Sequence, residues 1–165
     1  MSKADIKPAH TISCSVHSAY PEDLACFEEK FRLFPHGCFV LETGLGISGY
    51  GLSHAWDLQP PPQLNALIGA LPMQGNTYFI HDLTLTEACR GNGFAGLFIE
   101  KIITLASSLG KTSVSLVSVG ENENFWRRYD FHATPDQKFQ NAARSGGYGV
   151  DAVHMTREIG SGHKR

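Results

Sequence analysis

Leu85-Thr86-Glu87-Ala88-Cys89-Arg90-Gly91-Asn92-Gly93-Phe94-Ala95-Gly96 joins a β-prone run to a helix-period run, and the reading of its glycines decides the fold. Upstream, Tyr78–Leu85 (Tyr-Phe-Ile-His-Asp-Leu-Thr-Leu) predicts a strand. Downstream, Phe94, Leu97, Phe98, Ile102, Leu105 and Leu109 form an apolar stripe that predicts a helix from about Gly93 to Leu109, stopped by Gly110. A glycine turn in that position frees the helix's first N–H groups and lets backbone approach a ligand closely. Those donors and the positive end of the helix dipole make an anion site suited to pyrophosphate. Arg90 adds a charge just before the turn.

Gly91, Gly93 and Gly96 also match the dinucleotide fingerprint G-x-G-x-x-G. That fingerprint sits almost directly on the end of its strand and needs an acid about 20 residues on for the ribose. Here five residues separate Leu85 from Gly91, and the only acid between Gly91 and Glu121 is Glu100, in mid-helix. The context argues against a nicotinamide cofactor.

Outward from the turn, the remaining elements follow. Ile12–Val16 reads as a first strand, behind a polar and frayed 1–10. Pro21 opens a helix whose buried face is Leu24, Phe27, Phe31 and Phe34. Cys38–Thr43 and Ile47–Trp56 read as a hairpin around Gly44-Leu45-Gly46. Gly49 and Gly51 weaken its second strand unless a bulge or close approach uses them. Gln63–Leu71 reads as a short helix before Pro72, Thr112–Val119 as a strand, Asn124–Tyr129 as a short helix and Val150–Ile159 as the last strand. The sum is one α/β domain over 11–160, with a mixed central sheet antiparallel in its N-terminal half, helices flanking it, and flexible tails at 1–10 and 161–165.

Of the 165 residues, 42% are hydrophobic and 18% charged, which is ordinary globular composition. A net charge of −2 gives no basic field, so neither nucleic acid nor an anionic membrane is an expected partner. Four cysteines (Cys14, Cys26, Cys38, Cys89) form no C-x-x-C pair, and no histidine cluster has metal-ligand spacing, so no metal is expected. No apolar run approaches the roughly 20 residues of a membrane span. Reduced thiols and the lack of a signal-like N-terminus point to the cytoplasm. A homodimer is the expected assembly, since two-fold dimers are the commonest oligomers.

The turn and its flanks resemble the GNAT acetyltransferase superfamily, an uncharacterised bacterial branch of it. The acyl-CoA motif R/Q-x-x-G-x-G/A is matched by Arg90, Gly93 and Ala95. Gly49–Trp56, the Pro-rich bend and Tyr148-Gly149 carry the likeness over most of 11–160, while 78–131 is its specific part. The resemblance implies acetyl-CoA as co-substrate, with Leu83, Thr84 and Leu85 along its pantetheine, Gly91, Asn92, Gly93, Phe94, Ala95 and Gly96 around its pyrophosphate, and Arg90, Asn122 and Trp126 as further contacts. Asn122 and Asn124 also suit capping of the short helix that follows, the commoner use of such residues.

The implied reaction is acyl transfer to an amine of a small molecule, peptide or protein by direct attack. At neutral pH a lysine-like amine of pKa about 10.4 costs roughly 4 to 5 kcal/mol to deprotonate, while protonating a thiolate of pKa about 8.5 relieves only about 2 kcal/mol. A proton acceptor therefore matters more than an acid. His81 lies four residues before Leu85, matching a histidine of the arylalkylamine branch, and reads either as the base or as a structural histidine. Strand alternation puts Phe79, His81, Leu83 and Leu85 on one face and Ile80, Asp82 and Thr84 on the other. The family's acidic tyrosine belongs to a pattern like Y-x-k-x-G-F. Aligning Phe131 on its phenylalanine puts Trp126 at the tyrosine and Asp130 at the glycine, with Tyr129, three residues on, either a substitute acid or a core residue. His54 and Trp56, with Phe79, are the acceptor-pocket candidates. The missing tyrosine motivates a rival reading, a non-catalytic acyl-CoA-binding sensor or scaffold on the same fold.

Overall fold

The computed structural model describes residues 1–57, 59–72 and 74–160. The elements are α1 (Ile6–Val16), α2 (Leu24–Leu33), β1 (Cys38–Thr43), β2 (Gly46–Trp56), β3 (Thr77–Leu85), α3 (Phe94–Ser108), β4 (Ser113–Ser118), α4 (Glu123–Arg127), β5 (His132–Ala133), α5 (Gln137–Ala143) and β6 (Val153–Glu158). The six strands form one sheet in the order β1-β2-β3-β4-β6-β5. Among the described residues, only β3 and β4 pair in parallel.

The mixed sheet and its antiparallel first half are as the sequence predicts. On one face, Ile99, Ile102 and Ala106 of α3 pack on Tyr78, Ile80, Val114 and Leu116. On the other, Ile6, Ala9, Ile12 and Phe27 of α1 and α2 cover Tyr50 and Leu52. Gly51 permits the first contact: a Cβ there would stand 2.9 Å from the Phe98 ring, so the glycine serves helix packing rather than a ligand.

Four local expectations are corrected. Ile12–Val16 is the end of α1 rather than a strand, and residues 6–10 are helical, with Ile6 and Ala9 buried and the Met1 amino group donating to the Cys38 carbonyl. Ile6, Ala9 and Ile12 share a helical spacing, and burying that stripe outweighs the local β-preference of Ile12 and Val16. Pro21 does not open α2, which starts at Leu24 behind Asp23. The predicted helix at 63–71 is irregular, because Asn65 and Gly69 hold positive φ (52° and 76°). Its backbone N–H groups go instead to carboxylates: Asn65 to Glu22, and Ile68 and Gly69 to Glu29.

The fourth correction bears on the site. Leu52 pairs with Asp82 and Ser53 with Ile80, so His81 is the extra residue of a β-bulge. The bulge shifts the alternation by one. Phe79, His81, Asp82 and Thr84 face α1 and α2, whereas Ile80, Leu83 and Leu85 face α3. The predicted strand faces hold only on one side of His81. Residues 137–148 escaped prediction: α5, capped by the Asp136 side chain on Lys138 N–H, runs into a turn that buries Tyr148. The tail 161–165 lies outside the described residues.

Candidate active site

The parallel β3–β4 ladder ends at Ile80 and Leu116. Beyond it the strands part, and Leu83–Leu85 run on with no β4 partner. A cleft of about 100 Å³ opens there. Its apolar side is made by Leu64, Leu83, Leu116, Val117, Val119 and Trp126, and its polar side by His17, Tyr20, Glu22, His81 and Asp82. Asn122 and Tyr148 also line it, the latter with its hydroxyl donating to the Pro62 carbonyl at 2.9 Å.

At the end of β3, Arg90 folds back so that its Nε donates to the Leu85 carbonyl at 3.3 Å. Gly91 and Gly93 take φ of 76° and 81°, which disfavour any side chain, and a Cβ on either would enter open space. The first α3 bond runs from Leu97 N–H to the Gly93 carbonyl. The N–H groups of residues 91 to 96 therefore have no acceptor among the described residues, at the positive end of a 15-residue helix. Of the residues the resemblance implies around a cofactor, Leu83, Asn122 and Trp126 line the cleft, while Thr84, Leu85, Arg90 and Gly91–Gly96 do not; the last of these follow β3 in sequence as the turn that opens α3.

Asp130 holds φ 65°, the left-handed conformation that a glycine serves without cost. This backbone demand matches the alignment that puts Asp130 at the family glycine and Trp126 at the tyrosine. Trp126 lines the cleft; Tyr129 does not. The Tyr129 ring packs on α3, its hydroxyl 3.2 Å from where a Cβ of residue 96 would stand. His54, Trp56 and Phe79 are brought together as an aromatic cluster, the His54 ring edge-on to Trp56 and tilted against Phe79, but none of them lines the cleft. His54 is buried with Nδ1 on the Ala55 carbonyl, and burial pushes its pKa down to about 3.

His81 reaches the cleft wall, yet its side chain is only 1% exposed and its Nε2 lies 2.7 Å from the Glu22 carboxylate. Glu22 also meets the buried Lys30 ammonium at 3.5 Å and accepts the Asn65 N–H. Burial alone would raise the Glu22 pKa, but His81, Lys30 and that N–H together hold it at about 2. A second pair sits nearby and more open. His17 Nε2 is 2.6 Å from Thr84 Oγ1 and 3.4 Å from Asp82, with the His17 side chain 27% exposed. The sequence offered no sign of His17, Tyr20 or Glu22. They lie in or beside the connection between α1 and α2, and only folding carries that connection across β3.

A mixed sheet whose parallel pair parts beside a glycine-led helix N-terminus defines an acyltransferase-type fold. The chain matches the Acetyltransferase (GNAT) family over residues 6–131 and belongs to that family. No curated protein matches it by sequence. Among solved structures it resembles Ard1 from Thermoplasma volcanium at 15% identity and TM-score 0.70, covering 96% of this chain and 94% of that one. Naa20 of Chaetomium thermophilum, solved with a bisubstrate analogue, aligns at 16% identity and TM-score 0.70, over 100% and 87%. N-acetylglutamate synthase from Neisseria gonorrhoeae, complexed with coenzyme A and N-acetyl-glutamate, aligns at 12% identity and TM-score 0.72, over 96% of this chain and 34% of that one.

Proposed function

We propose that this protein is an acetyl-CoA-dependent N-acetyltransferase, acting on an amine of a small molecule, peptide or protein. The observation that carries the reading is an open strand edge followed, five residues on, by a helix start with free backbone donors. Among the described residues, 83–85 have no β4 partner, and the N–H groups of 91 to 96, through the turn and the first residues of α3, have no acceptor. A pantetheine carries amides that pair with an open strand edge, and its pyrophosphate suits a helix N-terminus. Family membership and the CoA-bound neighbour support the same assignment. The rival reading, a non-catalytic acyl-CoA sensor, draws on Trp126 in the cleft where the family has tyrosine and on Tyr129 packed away from it.

Two measurements test this. Gly93→Val puts a β-branched side chain on a left-handed residue beside the donors. It should abolish CoA binding by calorimetry and lower the melting temperature by the strain of a left-handed β-branched residue, about 1–3 kcal/mol, and unchanged affinity in the folded variant would refute the turn's role. Release of free CoA from acetyl-CoA, dependent on an added amine across a panel, separates the transferase from the sensor.

A further inference from the structure

An amine held as ammonium needs a proton acceptor that it can touch. Of the two histidine–carboxylate pairs at the cleft, one is sealed: the His81 imidazole and the Glu22 carboxylate are both buried, and Glu22 is already shared with Lys30 and Asn65. The other is open. His17 comes from the end of α1, on the sheet face opposite the α3 turn. A donor seated on that turn and running through the parted strands presents its acyl end toward the α1–α2 side, where His17 and Tyr20 line the cleft.

We propose that His17 Nδ1 accepts the proton of the attacking amine, with Thr84 and Asp82 as positioning residues that set its tautomer. This rests on the transferase reading above. The hydrogen bonds fix the direction of each donor. Tyr50 donates its hydroxyl to Asp82 Oδ2, and Thr84 donates its only proton to Asp82 Oδ1 at 2.9 Å. The Thr84 oxygen is then free to accept, and a lone pair on His17 Nε2 would face both that oxygen and the carboxylate. Nε2 therefore carries the hydrogen in neutral His17. Nδ1 is left as the lone-pair nitrogen, without a protein partner among the described residues and not buried.

The groups facing His17 are Asp82 and Thr84 of β3, Arg90 of the turn, and Glu22 and Tyr20 of the α1–α2 connection, with Tyr50 of β2 behind Asp82. The Asp82 hydrogen bond holds the His17 pKa above its ordinary value, against burial and the Arg90 charge. In the reaction, R–NH3⁺ gives one proton to Nδ1. The freed nitrogen lone pair forms the C–N bond at the thioester carbonyl, and the C–S bond breaks with its electron pair on sulfur. The second nitrogen proton ends on the thiolate to give CoASH, and His17 releases the first to solvent.

The test is the pH–rate profile of CoA release with acetyl-CoA and a reactive amine, on the full chain. His17→Gln keeps an N–H donor toward Thr84 but cannot accept a proton. It should lower turnover by roughly 10²–10⁴-fold and lose the limb that rises with pH, with CoA affinity unchanged. Thr84→Val should weaken turnover and displace that limb, and Thr84→Ser should restore both. A folded His17→Gln protein with wild-type turnover and profile overturns the proposal and leaves the transferase reading standing. Loss of the limb in His81→Gln but not in His17→Gln overturns it in favour of the sealed imidazole. A wild-type protein that binds acetyl-CoA and releases no CoA with any amine overturns both readings.

Discussion

Glu22–His81 and His17–Asp82 are built from the same two kinds of side chain and lie at one cleft, but burial separates them. In the first pair the side chains are 4% and 1% exposed; in the second the carboxylate is 17% exposed. A sealed carboxylate must have its charge answered on the spot, and Glu22 is answered by His81, Lys30 and the Asn65 N–H. Those partners come from β3, α2 and the irregular 63–70 segment, so the pair locks three parts of the chain together. The open pair carries less of the fold. Its imidazole keeps one nitrogen bonded inward and one free, the arrangement that proton exchange with a ligand requires. Burial, more than residue type, assigns the two histidines their work.

The largest expected effect lies in the sealed pair. Glu22→Gln leaves the Lys30 ammonium buried without a countercharge and should cost about 3–5 kcal/mol, the usual penalty for breaking a buried pair from one side. Adding Lys30→Met should recover part of it. Urea denaturation of the two variants checks this, and a loss as small as that of an exposed ion pair would mean that the site is wetter than its burial implies.

The two pairs should also differ in the sign of their pH dependence. The Glu22 pKa is held at about 2, below its ordinary 4.5, so its contribution is complete above pH 4.5 and is lost as pH falls toward 2. The His17 pKa is raised above 6.5, so its contribution is complete below pH 6.5 and is lost as pH rises through the raised value. Because His17 is partly exposed, that second loss should be no more than about 1 kcal/mol. Melting temperatures across pH, with His17→Gln as control, measure both, and an alkaline loss that persists in the variant would belong to another group.

The smallest effect is expected across the cleft from the open pair. Trp126 supplies apolar wall and has no usable acidity, so Trp126→Phe should keep most turnover, and Tyr129→Phe should cost little because that hydroxyl packs on α3. A collapse of turnover in Trp126→Phe with CoA affinity intact would give the indole a specific role and weaken the assignment of the proton chemistry to His17.

Much of the frame was legible because its signals are local. The hairpin at 38–56, the strand ending at Leu85, the glycine turn and α3 fall where apolar periodicity and glycine put them, within a residue or two. The glycine turn was readable for the same reason, since positive φ and free N–H groups are properties of a few consecutive residues. Ile12–Val16 misled because a five-residue window shows the β-preference of Ile and Val but not the stripe that Ile6, Ala9 and Ile12 bury together.

The sequence by itself determined a mixed α/β sheet, the order of elements from Cys38 to Leu109 apart from 63–71, and a glycine turn with free N–H groups ahead of α3, because each is written in contiguous residues. Tertiary structure alone decided which histidine opens onto the cleft. The bulge at His81 exists only through the pairing of β3 with β2, and it reversed the strand faces predicted from alternation. His17 meets Thr84 across 67 residues of sequence, and no spacing rule reaches that far. Whether a titratable group is sealed or open depends on what packs over it, and that is a property of the folded chain.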